Sequence, residues 1–326
     1  MQQQAVPSPD PVAHLTAPMP ALAAALVAVL TWSSALVGIG FALRSISPGQ
    51  LVLLRFLVAS ACFAALAMLG QVRLPERRDI PALVLLGFVG QVVYQLALSV
   101  AQTSITAGTA GVLTALIPAF AALLAIPVLG ERLSVRGWWG MALAFVGAAL
   151  AATGTGGSVR FEPMGLLALG AAAASATYFV FQKAWLARYG ALSMVAYGVW
   201  TGAAAMLVLA PGLPRTLAVA TTPALLAVLY LGVVPTALGH ALWAYALARA
   251  PAGRVSSLLY LQPIAAFAFA WPLLGEVPTA TTMFGAVAVL GGVMLVNIAA
   301  GSQLPPKRRS RVISMMNRHD AGEGGA

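Results

Sequence analysis

The chain has 326 residues, of which 60% are hydrophobic and only 8% are charged, and its formal net charge is +10. A soluble domain carries about 25% charged residues, so this composition argues against an ordinary soluble fold and for a protein that uses lipid as its solvent. The 18 Lys and Arg residues lie in short gaps between apolar runs, without interleaved aromatic residues, which argues against nucleic acid as a partner.

Ten apolar segments follow one another along the chain, most of them near the 20 residues that a helix needs to cross the hydrocarbon. They are 21–43, 50–69, 80–101, 109–129, 137–153, 163–186, 191–210, 223–247, 255–274 and 280–300. The sequence therefore predicts an all-α polytopic membrane protein with ten transmembrane helices. Residues 1–20 lack the basic start of a signal peptide and are expected to form an N-terminal tail, and 301–326 a basic, disordered tail.

The distribution of Lys and Arg predicts the orientation. With both termini in the cytoplasm, 14 of the 18 basic residues lie on the cytoplasmic side, three lie outside, and Arg55 lies within a span. Cytoplasmic loops carry the excess of basic residues in membrane proteins. We therefore expect a multi-pass protein of a bacterial inner membrane with cytoplasmic N- and C-termini.

An internal repeat relates the two halves of the chain. A shift of 145 residues places Pro118 on Pro263 and Glu131 on Glu276, and 11 of the 27 positions in 105–131 are identical. Each repeat, 21–154 and 155–300, holds five helices, and an odd number makes the second copy enter the membrane inverted. Inverted repeats are typical of secondary transporters, whose substrate binds near the midplane between the repeats.

These features resemble the drug/metabolite transporter superfamily, specifically its EamA type with ten helices. The resemblance is carried by Trp32, the pair Arg55-Phe56, and the two Pro…Leu-Gly-Glu endings at 118–131 and 263–276. The first helix reads Trp32-Ser33-Ser34 where the family usually has Trp-Gly and a small polar residue. The resemblance implies export of amino acids, related metabolites or drugs.

Polar side chains at the middle of a span are costly in lipid and tend to be functional, so they are the candidate binding residues. Gln91 and Gln95 are one turn apart and should share a face. Each candidate has a structural alternative as a hydrogen bond between helices, and Trp243 is expected to anchor a helix end at the membrane surface. The predicted substrate-binding residues are Trp32, Ser33, Ser34, Gln91, Tyr94, Gln95, Thr114, Tyr178, His240, Tyr260 and Gln262.

Prolines and small residues suggest further roles for the helices. Pro118 and Pro263 remove a backbone donor inside a span, so each is either a hinge for gating or a static kink. The fifth and tenth helices carry small residues at regular spacing and should pack closely as scaffold. These residues include Gly140, Gly147, Gly285 and Gly292.

All eight acidic residues lie outside the span interiors. Proton coupling would therefore need His240 or the helix-end acids Glu131 and Glu276, and without it transport would be uniport. Arg55 could meet a substrate carboxylate or bond carbonyls at helix ends. A lone cysteine and the absence of a Walker motif give no reason to expect a metal, another cofactor or ATP.

The sequence thus predicts a secondary transporter that exports amino acids or similar small neutral or zwitterionic metabolites by alternating access. The alternatives are efflux of drugs or toxic compounds on the same fold, a non-transporting membrane scaffold, and an intramembrane enzyme, which would need an acid beside His240. The expected partners are a small-molecule substrate and the lipid bilayer, and both a monomer and a homodimer remain open.

Overall fold

The computed structural model describes residues 19–129, 133–153, 162–250, 255 and 258–301. Over these residues the chain is helical, with no strand, and ten apolar helices succeed one another. Eight are long and apolar enough to cross a membrane, and two shorter apolar stretches, Leu258–Leu274 and Ala280–Val296, follow them. The helices are α1 Met19–Ala42, α2 Pro48–Met68, α3 Ile80–Ala101, α4 107–129, α5 Val135–Thr153, α6 Met164–Phe181, α7 Lys183–Met206, α8 Thr222–Arg249, α9 Leu258–Leu274 and α10 Ala280–Gly301. The predicted all-α architecture of ten helices is confirmed.

Local signals in the sequence set several helix ends. Pro48 and Pro223 stand in the first turns of α2 and α8, where the missing N–H of proline breaks no hydrogen bond. The Thr106 side chain caps α4 by accepting a hydrogen bond from the Thr109 N–H. Gly275 ends α9 with a φ of 72°, the left-handed conformation that favours glycine after a helix.

Two prolines interrupt α4 and α9 at equivalent positions. Helix α4 consists of two segments, Ala107–Thr114 and Ile117–Leu129, and the break between them lies just before Pro118. Helix α9 begins as a short 3₁₀ turn, Leu258–Leu261, and continues as an α-helix with Pro263 in its first turn. The expected distortion is therefore present in both repeats, and a hinge function for these prolines remains a prediction.

A π-helical turn interrupts α3 at Phe88–Val93 and α8 at Gly232–Leu238. The 145-residue shift superposes these two segments, and neither π turn was predicted from the sequence. In α8 the cause is Pro235, which has no N–H for the Leu231 carbonyl, and the Thr236 hydroxyl donates to that carbonyl instead at 2.7 Å. Turns of this kind are rare in proteins overall, and those that occur are often found at functional sites.

Helices α5 and α10 pack with their backbones in close contact. A Cβ placed on Gly140 would lie 2.7 Å from the Gly292 carbonyl oxygen, and one on Gly147 would lie 2.7 Å from the Gly285 carbonyl oxygen. Only glycine permits this approach, because any side chain would overlap the opposite backbone. The fifth and tenth helices therefore pack closely, as their small residues indicate, and the structure adds that they pack on each other.

The remaining helices of the two repeats interleave. Helix α1 packs against α8 and α9, α2 packs against α7 and α8, and α3 packs against α6 and α7. The apolar core divides accordingly, with one cluster around α1 and α4 and a second between α2, α3 and α7. The faces that meet at the centre of the bundle therefore come from both repeats.

Candidate functional site

Arg55 of α2 joins three helices at the centre of the bundle. Its Nε donates to Thr236 Oγ1 in the π turn of α8 at 2.9 Å, and its Nη1 donates to Gln95 Oε1 of α3 at 3.0 Å. All three side chains are buried. Of the two roles expected for Arg55, bonding to carbonyls at helix ends is wrong, because its hydrogen bonds are to neutral side chains of both repeats.

Trp32 and His240 lie together beside this group. The indole Nε1 of Trp32 donates to the Pro235 carbonyl at 3.0 Å, and the two rings are 5.1 Å apart. His240 Nδ1 lies 2.8 Å from the Thr236 carbonyl oxygen, and because a carbonyl only accepts, this nitrogen carries a proton. Nε2 makes no hydrogen bond to the described chain and remains available to a ligand.

The ring of Trp243 extends the same aromatic group. It lies 5.1 Å from the ring of Trp32 and packs against the apolar cluster that includes Ala21 and Ala25 of α1, and its role as an anchor at the membrane surface stays a prediction. Helix α8 continues past Trp243 to Arg249, whose guanidinium lies 3.9 Å from the centre of the Tyr245 ring. Tyr245 is exposed near the helix end, where an interfacial aromatic residue is expected.

The two serines of α1 bond to the second repeat. Ser34 Oγ lies 2.6 Å from the Tyr230 hydroxyl of α8. Ser33 Oγ donates to the Val29 carbonyl of its own helix at 2.8 Å and lies 3.3 Å from the backbone carbonyl of Gln262. Tyr230 was not among the predicted site residues, because nothing in the sequence shows that it faces Ser34.

Other predicted site residues lie away from this polar group. Gln91 packs against Gly198 of α7, whereas Gln95 faces Arg55 of α2, so the two glutamines do not form one wall. The reason is that α3 lies between α2 and α7, and its π turn separates the two side chains. Thr114 is buried and donates to the Ala110 carbonyl of its own helix at 2.8 Å.

Three predicted tyrosines differ in their surroundings. The Tyr178 ring packs on Gly90 in the π turn of α3, and its buried hydroxyl has no hydrogen-bond partner in the described chain. Tyr94 and Tyr260 are half-buried against the apolar core of α1 and α4. Trp32, Ser34 and His240 are also half-buried, although each lies near the middle of its helix. Each of these three side chains is therefore partly accessible away from the ends of its helix.

The acidic side chains of the described chain lie at helix ends. Glu276 accepts a hydrogen bond from the Gly108 N–H at the start of α4 at 3.3 Å, and burial raises the pKa of its carboxyl. Its repeat equivalent, Glu131, lies outside the described residues. The proton-linked roles of these two residues and of His240 stay predictions.

A bundle of ten apolar helices, built from two repeats around a shared polar centre, has the architecture of a membrane transporter. The sequence profile of the EamA-like transporter family matches residues 19–153 and 163–298. The chain belongs to this family, which confirms the resemblance stated from the sequence and makes it a multi-pass membrane transporter.

Named relatives agree with this assignment. The chain is 35% identical to an uncharacterised transporter of Bacillus subtilis, YdfC, over 80% of this chain and 86% of that protein. It is 36% identical to a "probable terminal-alkyne amino-acid exporter" of Streptantibioticus cattleyicolor, over 84% and 92%. It is 27% identical to a "probable amino-acid metabolite efflux pump" of Salmonella typhimurium, over 83% and 92%.

Proposed function

We propose that this transporter exports amino acids or similar small neutral or zwitterionic metabolites across a bacterial inner membrane. One observation carries the proposal, namely the polar group at the centre of the bundle, which both repeats form. Arg55 and Gln95 of the first repeat meet Thr236 of the second, beside the half-buried rings of Trp32 and His240. A polar solute needs such a group, because crossing lipid removes its hydrogen bonds to water.

The chemistry of this centre favours a small solute with little net charge. It offers neutral hydrogen-bonding groups, aromatic rings and one cation, and no acidic residue of the chain falls within a span interior. A transporter of small cations would be expected to use an embedded acid. Two relatives named for amino-acid export or efflux support the same substrate class.

Alternating access follows from the arrangement of the repeats. The two halves share the central polar group and carry proline breaks and π turns at equivalent positions, so each half can adopt the conformation of the other. The excess of basic residues on one side supports cytoplasmic termini. Substrate then leaves the cytoplasm through the space between α1, α2, α3 and α8.

The proposal is tested by reconstituting the purified protein in proteoliposomes and measuring exchange of radiolabelled L-leucine, L-threonine and L-phenylalanine, with and without a pH gradient. We expect saturable flux of at least one amino acid above that of protein-free liposomes. Absence of flux for the whole panel would contradict it, and efflux of an apolar dye under the same conditions would favour the drug-export alternative.

Two further arms of this experiment address the mechanism. Flux that does not change with the pH gradient would exclude proton coupling. A His240→Gln variant keeps a hydrogen-bonding side chain but does not titrate. We expect it to slow transport, because Nε2 of His240 has no partner in the described chain and can bond to a substrate. Unchanged transport in this variant would remove His240 from the binding site.

A further inference from the structure

Arg55 is a buried cation that lacks a counter-charge in the described chain. The Arg55 side chain projects from α2 and is buried. The ion pairs among the described residues do not include it, because they are made by Arg78 and Arg188 near one end of the bundle. The acids outside the described ranges, Asp10, Glu131, Asp320 and Glu323, are remote from the span interiors in the sequence. A buried charge without an opposite charge is energetically unfavourable. The unpaired Arg55 therefore points to an anionic group that binds there transiently.

The hydrogen bonds of Arg55 leave part of the guanidinium unused. A guanidinium has five N–H groups, and here Nε donates once to Thr236 and Nη1 once to Gln95. Both N–H groups of Nη2 and one of Nη1 therefore make no hydrogen bond to the described chain. The two bonds that are made hold the guanidinium plane in one orientation, and the unused N–H groups lie on the two terminal nitrogens, Nη1 and Nη2.

The unused N–H groups have the chemistry that binds a carboxylate. Two parallel N–H groups of arginine match the two oxygens of a carboxylate, and such paired bonds are stronger and more selective than single neutral ones. The Thr236 and Gln95 oxygens orient the cation but do not neutralise it. A carboxylate of the substrate would neutralise the charge of Arg55 for as long as the substrate is bound.

We propose that Arg55 is the carboxylate-binding residue of the transport site, and that the substrates of this protein are carboxylates, with zwitterionic amino acids as the main class. Thr236 and Gln95 act as positioning residues, because they hold Arg55 and do not themselves carry a charge. This assignment rests on the proposed export function and narrows it, since compounds without a carboxylate would bind poorly.

The test compares amino acids with their amides, which keep the side chain and the ammonium group but lack the carboxylate. Binding of L-leucine, L-threonine and L-phenylalanine and of the three matching amides is measured from the shift in thermal unfolding of the purified protein. We expect at least one amino acid to bind tenfold or more tightly than its amide. Arg55→Gln should reduce that ratio to threefold or less, and Arg55→Lys, which keeps the charge, should retain part of it.

A ratio of two affinities within one variant is insensitive to a general loss of stability, so it separates binding from a purely structural role of Arg55. The matched control is Arg44→Gln, an exposed arginine beyond the end of α1, which should leave the ratio unchanged. Equal binding of every acid and amide by the wild type, or no binding of either, would overturn the proposal. A preference for the acid that survives in Arg55→Gln would overturn it as well.

The failure of this inference can be told from the failure of the proposed function. One outcome is amino-acid flux in proteoliposomes together with a preference for the amino acid over its amide that does not depend on Arg55. That result would support the export function and exclude Arg55 from the binding site. An Arg55-dependent preference without amino-acid flux would do the reverse, leaving a carboxylate site in a protein that does not export amino acids.

Discussion

The guanidinium of Arg188, early in α7, lies 2.9 Å from the carboxylate of Asp79, in the connector between α2 and α3. The same carboxylate accepts a hydrogen bond from the Tyr189 hydroxyl at 2.5 Å. These bonds join the first repeat to the second near one end of the bundle. Near the other end, the 145-residue shift relates Ser45 to Gly190 and Thr221 to Glu76. There the Ser45 hydroxyl accepts a hydrogen bond from the Thr221 N–H at 3.1 Å and lies 3.3 Å from the Thr221 hydroxyl, so neutral groups alone make this contact. The two ends are therefore joined by contacts of different strength.

Asp79→Asn should lower the free energy of unfolding by about 2 kcal/mol, because hydrogen bonds to a buried charged group are among the stronger ones. Asp79 is 6% exposed, so water cannot replace the lost interactions. The measurement is thermal unfolding in detergent. Glu76→Gln is the matched control, because its side chain is 52% exposed and surface ion pairs contribute little. Equal effects of the two variants would show that burial of Asp79 does not matter.

Gly292→Ala should destabilise the protein by about 1–3 kcal/mol, because a Cβ there would lie 2.4 Å from the backbone of Ala144 and Gly140 across the contact between α5 and α10. Its neighbour Gly291 provides the control, since a Cβ there meets only a Leu143 side-chain atom at 3.9 Å. We expect Gly291→Ala to be neutral or slightly stabilising in the same unfolding assay. A Gly292→Ala protein as stable as wild type would contradict the close packing of these helices.

Gly190→Ala should cost about 1–3 kcal/mol, because Gly190 has a φ of 77° and a ψ of 161°, a conformation essentially confined to glycine. This residue allows the chain to bend within α7, between Tyr189 and the rest of the helix. Gly170→Ala in α6 is the control, since that glycine has an ordinary φ and no neighbour within 4 Å of an added Cβ. Equal melting temperatures for both variants would argue against a strained bend at Gly190.

Glu276 should make the stability of the protein depend on pH. Burial raises the pKa of its carboxyl above the ordinary value of 4.5, so the folded protein holds this proton more tightly than the unfolded chain. Its contribution to stability is therefore full below that ordinary pKa and is lost as the pH rises through the raised one. The side chain in Glu276→Gln cannot titrate. The melting temperature of this variant minus that of the wild type should therefore increase as the pH rises from 4 to 7. A constant difference across this range would exclude the raised pKa.

Much of the fold could be predicted from the sequence, because hydrophobic length, loop charge and the 145-residue shift are all properties of the chain itself. The glycines of α5 and α10 and the prolines of α4 and α9 were recognisable for the same reason. The π turn of α3 was not, because it contains no proline and the Tyr178 ring that packs on Gly90 comes from another helix. Local sequence does not record such a contact.

The candidate site was predicted in part. Midplane depth identified Trp32, Gln95 and His240, which lie at the polar centre, but depth does not say which way a side chain points. It therefore also selected Gln91 and Thr114, whose side chains lie elsewhere, and it could not show that Tyr230 faces Ser34. The partners of Arg55 depend on how α2, α3 and α8 pack, which is tertiary information.

The central claim, that substrate passes through the polar centre between the repeats, is tested most directly by protection of a cysteine placed there. In a Cys62→Ser background, Ser34→Cys puts a thiol of nearly the same size at a half-buried position that faces the second repeat. The measurement is the alkylation rate of this thiol in transport-active proteoliposomes. We expect a saturating concentration of a transported amino acid to slow alkylation severalfold, and the amide of that amino acid to have no effect. An alkylation rate unchanged by a transported substrate would contradict it.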